Sequence, residues 1–202
     1  MIAFSAGTVI ALAFFDLLPE ALRLSDAPQP ILAVAGGGFF LYALLDSLLL
    51  AGGREGPNEA RGWSGAGSLS AHSFLDGLAL GIGFQASTAI GTVVAVAILA
   101  HDCSDGMNTV SLVLKNGGSR RAAFGWLVMD AIAPLAGAAA SLFVRPTGDE
   151  LAYLLAAFAG FFLYIGASDL LPESLKSRAP IPTMAATLAG AATLYLVMHF
   201  AQ

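Results

Sequence analysis

The chain alternates long apolar runs with short polar breaks rich in glycine, proline and charged residues. A membrane-spanning helix needs about 20 mostly apolar residues, and seven runs come close to that length: 1–24, 31–51, 68–87, 90–114, 120–143, 151–174 and 181–201. The longest break, 52–67, has the composition of a glycine-rich polar linker on the cytoplasmic side. We therefore expect an all-α fold, a polytopic transmembrane bundle of seven helices in one domain, 1–202.

Composition supports a membrane protein rather than a soluble one. Hydrophobic residues make up 57% and charged residues 11%, whereas an ordinary soluble domain is about a quarter charged. The nine lysines and arginines form no dense block and the net charge is −5, which excludes nucleic acid as an expected partner. The lipid bilayer is the partner that this composition predicts.

The distribution of basic residues predicts the orientation in the membrane. Lysine and arginine are retained in cytoplasmic loops. With Met1 inside, the inner loops hold all of these residues except Arg23 and Arg145. We expect a multi-pass protein of the cell inner (plasma) membrane, with a cytoplasmic N-terminus and with Gln202 outside.

Two pairs of similar segments indicate inverted repeats. FDLLPEAL at 15–22 matches SDLLPESL at 168–175, and these segments lie on spans that run in opposite directions. HSFLDG at 72–77 matches HDCSDG at 101–106 on the third and fourth spans, which are also opposed. Inverted repeats of this kind recur in secondary transporters, whose substrate sites lie near the membrane midplane.

Six ionisable side chains fall near the middle of predicted spans, where their cost marks them as functional candidates. They are His72, Asp76, His101, Asp102, Asp105 and Asp130. The spacing of four places His72 with Asp76, and His101 with Asp105, on one face of each helix. Imidazole and carboxylate together suit a divalent transition metal. Two further polar residues are weaker candidates for the same site, Ser73 and Asn108.

Acidic residues also occur near the ends of the spans. Asp16 and Glu20 are expected toward the outer end of the first span, and Asp46, Asp169 and Glu173 toward the inner ends of theirs. Acids at helix ends are often only solvated. The repeated DLLPE sequence instead favours two pathway mouths, one at each face of the membrane.

These motifs resemble the ZIP (ZRT/IRT-like) family of divalent metal transporters, whose paired metal-binding helices carry H-N-x-P-E-G-like and H-E-x-P-E-G-like motifs. The resemblance implies metal ligands at His72, Asp76, His101, Asp102 and Asp105, with Ser73 where many members have asparagine. In the family's sixth helix a glutamate often precedes proline. Ala133 occupies that place here, and Asp130 looks like the substitute.

Family members typically have eight spans, and the helix ending in FFDLLPEAL resembles the second of them. The resemblance therefore implies that the family's first transmembrane helix is missing from this sequence. Its loss would expose an apolar flank of the site-bearing helices, which lipid or a partner subunit, as in a homodimer, would have to cover. We expect such a form to build most of the metal site and to be impaired in transport.

Three functions are compatible with a buried histidine and aspartate site. The leading interpretation is transport of a divalent transition metal, zinc first, with iron, manganese or cadmium as further substrates, by a protein that is not an enzyme. The alternative is an intramembrane zinc-dependent hydrolase, in which His72 and His101 hold zinc and an aspartate activates water. A structural or sensor protein would bind metal without flux. Acidic mouths at both faces favour the transporter.

Overall fold

The computed structural model describes residues 2–51, 59–176 and 179–201. Within these ranges it contains seven long helices and no strand, which confirms the predicted all-α bundle. The helices are α1 (Ile2–Arg23), α2 (Pro28–Ala51), α3 (Glu59–Ala86), α4 (Thr88–Lys115), α5 (Arg120–Ser141), α6 (Gly148–Leu175) and α7 (Pro180–Ala201). All of these except α3 are long and apolar enough to cross a membrane.

The prediction of a linker over 52–67 is wrong for its second half. Helix α3 begins at Glu59, so 59–67 is helical, while 52–58 lies outside the described residues. Gly62, Gly65 and Gly67 of the helical part face neighbouring helices. A Cβ on Gly62 would lie 3.1 Å from the backbone oxygen of Leu112 in α4. Tertiary packing against α4 therefore overrides the low helix propensity of glycine.

A very short turn joins α3 to α4. The hydroxyl of Ser87 accepts a hydrogen bond from the amide of Ile90 at 3.1 Å and so caps the start of α4. Serine is a preferred residue at this position because its side chain satisfies a helix-end amide. The two helices form an antiparallel hairpin, and residues equally far from Ser87 along the chain lie at the same level.

Helices α3 and α5 cross at van der Waals contact of their backbones. A Cβ on Gly77 would lie 1.9 Å from the carbonyl oxygen of Pro134, and one on Gly137 would lie 1.9 Å from that of Phe74. Small residues permit such an approach between membrane helices. Similar crossings join α2 to α6 and α1 to α7, so the bundle is built from closely packed pairs.

A π-helical turn that the sequence analysis did not predict leads into each copy of the DLLPE repeat. The turns span Ala13–Leu17 in α1 and Ile165–Leu170 in α6, directly before the segments that carry Pro19 and Pro172. Proline lacks a backbone N–H, and a local change of hydrogen-bond register accommodates that loss. Each turn holds the aspartate of its repeat, Asp16 and Asp169.

Candidate metal site

Four of the predicted ligands meet between α3 and α4. His72 and His101 lie at the midpoints of these two helices, and Asp76 and Asp105 lie one turn farther along each. One ligand atom from each side chain lies within 4.8 Å of all the others. The residues are buried, and the ring of His101 is fully enclosed. Helix periodicity places the histidine and the aspartate of each helix on the same face. The α3–α4 hairpin then brings the two histidine–aspartate pairs to the same depth in the bundle.

The ligand atoms are spaced as in a small coordination shell. His101 Nε2 lies 2.9 Å from Asp76 Oδ2 and 3.7 Å from Asp105 Oδ2. His72 Nε2 lies 3.4 Å and 3.3 Å from the same two oxygens. Each imidazole therefore faces both carboxylates, and each carboxylate faces both imidazoles.

The surroundings of His101 determine which ring nitrogen carries hydrogen. Its Nδ1 lies 2.8 Å from the carbonyl oxygen of Ala97, which can only accept, so Nδ1 donates. In the neutral ring Nε2 then has a lone pair, and this lone pair faces the carboxylate of Asp76. Two electron-rich groups at this distance repel each other unless a cation lies between them. A proton or a metal ion satisfies this position.

His72 is less constrained by its neighbours. Within the described part of the chain neither of its ring nitrogens has a hydrogen-bond partner, although the ring is buried. The ring lies edge-on to Tyr42 with centroids 6.2 Å apart. Its Nε2 has the two aspartate oxygens as ionic neighbours but makes no hydrogen bond, which is costly for a buried polar group. A bound metal ion would supply a direct partner.

The two aspartates of the cluster need bound protons or a metal ion to balance their charge. Among the described residues, the ion pairs of Asp76 and Asp105 are made with the two histidines alone. Every described lysine and arginine lies in a loop or in the terminal turn of a helix. Buried carboxylates require pairing or a coordinated metal, so a divalent cation would neutralise the two aspartates.

Asp130 lies beside this cluster and not within it. Its carboxylate accepts hydrogen bonds from Ser73 at 2.9 Å and from Thr109 at 3.5 Å. Asp102 is exposed. Both acids line a cavity of about 570 Å³ between α4 and α5, together with Cys103. The structure thus separates these two predicted ligands from the group of four.

A cavity of about 180 Å³ connects the cluster with one end of the bundle. His72 and Asp105 line it, and its other acidic residues are Asp46 and Asp169. Asp46 accepts hydrogen bonds from Ser68 at 2.7 Å and from Tyr164 at 3.2 Å. The cluster is therefore continuous with polar groups from α2, α3 and α6.

A second cavity, of about 280 Å³, continues toward the same end. It shares Asp169 with the first and adds Asn108, Glu173, Lys115 and Lys176. We call this end, defined by Asp169 and Glu173, the Asp169 mouth. Asn108 lines this mouth and lies outside the four-residue cluster.

The opposite end of the bundle has a cavity of about 470 Å³, lined among others by Asp16, Glu20 and Arg23. We call it the Asp16 mouth. None of the four clustered residues lines it. Val94 and Ala97 of α4 are completely buried on the way to His101. The cluster is thus open toward the Asp169 mouth and closed toward the Asp16 mouth.

Sequence reasoning missed the hydroxyl groups that support these carboxylates. Ser68 and, from α6, Tyr164 donate hydrogen bonds to Asp46. Thr109 donates one to Asp130. Ser68 precedes His72 by one helical turn, so its place on the ligand-bearing face could have been found from periodicity. No sequence pattern identifies Tyr164 in this way, because its contact with Asp46 depends on how α2 and α6 pack.

Comparison with known proteins agrees with the geometry. The family model described as ZIP zinc transporter matches residues 52–198. The zinc transporter SLC39A7 of Rattus norvegicus is 29% identical over 140 residues, 64% of this chain and 30% of that protein. The zinc transporter ZIP4 of Homo sapiens is 33% identical over 111 residues, 55% of this chain and 17% of that protein.

The similarity to a third relative covers most of the chain. The zinc transporter ZIP13 of Pongo abelii is 25% identical over 197 residues, 89% of this chain and 60% of that protein. The chain spans less than a third of the length of the SLC39A7 proteins that it matches. These comparisons give no support to the alternative of a hydrolase. The family match covers α3 to α7, including the histidine and aspartate cluster, and so the chain belongs to the ZIP family of metal transporters.

Proposed function

We propose that this protein carries divalent transition-metal ions, zinc first, across the cell inner membrane through the cluster of His72, Asp76, His101 and Asp105. The observation that carries the proposal is the convergence of four buried ligand atoms within 4.8 Å of one another. The relatives' names, all zinc transporters, point to the same substrate.

Zinc fits the spacing of the four atoms. Structural zinc sites are tetrahedral, with ligand bonds near 2.0–2.2 Å, which places ligand atoms about 3.4 Å apart. The observed separations between histidine and aspartate atoms run from 2.9 to 3.7 Å. Small side-chain movements would centre a zinc ion, and one such ion would balance the two carboxylates. Iron, manganese and cadmium are further candidate substrates for the same ligands.

The two mouths give the ion a route. Metal would reach the cluster from the Asp16 mouth and leave through the cavity lined by Asp46 and Asp169. Oxygen ligands along a path allow an ion to exchange its water in steps. By the basic-residue count, the Asp169 mouth faces the cytoplasm. In this arrangement the described conformation is the one open to the cytoplasm.

Asp130 is assigned a supporting role in this proposal. Its carboxylate holds Ser73, and Ser73 directly follows the ligand His72. Groups that orient metal ligands typically contribute a factor of about 10–100 to affinity. Asp102 is exposed beside it and would act through its charge.

Zinc uptake into proteoliposomes tests the proposal. The wild-type chain is expected to give saturable uptake, and Asp105→Asn to abolish it because a ligand charge is lost. Asp130→Asn removes an equal charge and serves as the matched variant, with residual, saturable uptake expected. Absence of uptake by the wild-type chain would refute transport, and equal loss in both variants would refute the four-ligand assignment.

A further inference from the structure

Both DLLPE repeats end in an acid and a base spaced three residues apart. In the first, the guanidinium of Arg23 donates to both oxygens of Glu20, at 2.6 and 2.5 Å. In the second, the ammonium of Lys176 donates to Glu173. The basic residue of each pair lines its mouth along with the repeat's aspartate.

Besides this ion pair, the Asp16 mouth contains a carboxylate that lacks a full set of partners, that of Asp16. Asp16 is only 9% exposed, and its Oδ2 makes no hydrogen bond within the described part of the chain. Asp16 lines the same cavity as Glu20 and Arg23. The mouth therefore presents one paired carboxylate and one unpaired carboxylate to the same space.

Helix stability explains only part of this arrangement. A basic residue in the last helical turn interacts favourably with the helix dipole, and a pair spaced by three residues adds a little more. These effects require neither a cavity nor a buried, unpartnered aspartate one turn before Glu20. A role in cation binding at the mouth would explain why the ion pair of Glu20 and Arg23 lines the same cavity as Asp16.

We propose that Arg23 is a built-in counter-ion of the Asp16 mouth, which holds Glu20 until a divalent cation displaces it. The incoming cation binds Asp16 and Glu20 together, and the guanidinium turns out to solvent, where most of its side chain already lies. The inference rests on the proposed function, because a counter-ion at the mouth matters only if metal enters there. Its test measures binding and does not depend on transport.

The charges favour a divalent ion over a monovalent one. Asp16, Glu20 and Arg23 together carry one negative charge, and the two carboxylates alone carry two. A divalent ion neutralises both carboxylates when Arg23 leaves, whereas a monovalent ion leaves one charge uncompensated in a poorly hydrated cavity. Arg23 thereby lowers the mouth's affinity for any cation that has to displace it, and the two carboxylates that remain match the charge of a divalent ion.

Manganese binding to purified protein tests the proposal in a background without the central site. The background is His72→Ala with His101→Ala, and free Mn²⁺ is counted by its electron paramagnetic resonance signal. Arg23→Gln is expected to tighten the remaining weak binding about two- to fivefold, the range of an exposed ion pair. Arg23→Lys keeps the competing charge and is expected to bind like the parent.

Two controls separate the mouth from general charge effects. Arg145→Gln removes an equal charge at an exposed position outside the mouth and is expected to leave binding unchanged. Adding Asp16→Asn to Arg23→Gln is expected to remove the gain. Equal tightening by Arg23→Gln and Arg145→Gln, or a gain that survives Asp16→Asn, would overturn the proposal.

A second measurement covers the case in which the double-alanine background does not fold. With both histidines present, Arg23→Gln is expected to lower KM for zinc uptake by the same factor and to leave kcat unchanged. An unchanged KM would overturn the proposal. Absence of all transport would instead refute the proposed function, and manganese titration of Arg23→Gln against Arg145→Gln with both histidines present would then decide the role of Arg23, equal affinities overturning the proposal.

Discussion

His101 is the side chain whose contacts most closely define the chemistry of the site. Its Nδ1 donates to the Ala97 carbonyl, which leaves Nε2 as the only nitrogen able to bind metal. The ring is completely buried. We expect the affinity of the site to depend on this residue more than on any neighbour in α4 outside the cluster.

Replacing His101 is expected to abolish specific zinc binding. His101→Ala removes one of four ligands and should weaken the affinity by at least about 100-fold, the upper end of what a mere supporting group contributes. Cys103→Ala is the matched control, because Cys103 lies two residues away and is exposed. Zinc titration of detergent-purified protein gives both affinities. Similar affinities in the two variants would contradict the assignment of His101 as a ligand.

Metal affinity is expected to fall as the pH falls. A proton and a metal ion compete for the position between His101 Nε2 and Asp76, so each bound metal ion should release at least one proton. For each released proton, the affinity should drop about tenfold per pH unit over the range in which the sites titrate. Calorimetry between about pH 5 and 8, which spans ordinary histidine titration, measures the change. A constant affinity across that range would argue against these ligands.

At the scale of helices, the α3–α5 crossing holds the ligand-bearing helix in place. Gly137 contacts the backbone of Phe74, and Gly77 contacts that of Pro134. Backbone atoms cannot move aside as a flexible side chain can. The pair therefore sets the distance between the His72 helix and the helix that carries Asp130.

A methyl group at this crossing is expected to destabilise the protein. A Cβ on Gly137 would lie 1.9 Å from the Phe74 carbonyl oxygen, and such overpacking costs about 1–3 kcal/mol. Gly125→Ala is the control in the same helix, since a Cβ there has nothing within 4 Å and alanine favours a helix by about 0.5–1 kcal/mol. Thermal unfolding in detergent should show a lower Tm only for Gly137→Ala. Equal Tm values would show that α3 and α5 separate easily.

The π-helical turns are a second feature at the scale of helices. Each ends two residues before a DLLPE proline and contains the repeat's aspartate, which lines a mouth. Such turns are frequently found at functional sites. Their occurrence in both repeats, on helices that run in opposite directions, gives the two mouths related local structures.

The whole molecule presents one open and one closed approach to the cluster. Leu69 lines both cavities on the Asp169 side, Val93 lines the Asp16 mouth, and Ala97 is buried between that mouth and His101. Because His101 lies two turns beyond Val93 on α4, about 12 Å separates them along the helix axis. A single conformation therefore exposes the cluster to one side only.

Labelling by a membrane-impermeant thiol reagent is expected to reproduce this asymmetry. In a Cys103→Ala background and with the orientation proposed above, Leu69→Cys should react from the cytoplasmic side. Ala89→Cys, at a half-buried position on the wall of the Asp16 mouth, should react from the outer side, and Ala97→Cys should react slowly from both. Mass spectrometry of the labelled protein measures each rate. Rapid labelling of Ala97→Cys from outside would show that the closed layer is absent in the membrane.

The sequence by itself determined the seven helices and the two histidine–aspartate pairs. Apolar runs of sufficient length require helices in a bilayer, and a spacing of four fixes His72 with Asp76 and His101 with Asp105 on one helix face. The repeated DLLPE segments likewise pointed to acidic residues that line cavities at the two ends of the bundle. These features depend on local periodicity and on composition, which a sequence contains directly.

Only the tertiary structure decided which of these groups meet. It brought four of the six mid-span residues together. Asp130 instead accepts a hydrogen bond from Ser73, and Asp102 is exposed. It also extended α3 through the glycines of the expected linker. Contacts between helices depend on crossing geometry and on close approach at residues such as Gly77, and these are set by the packing of the whole bundle.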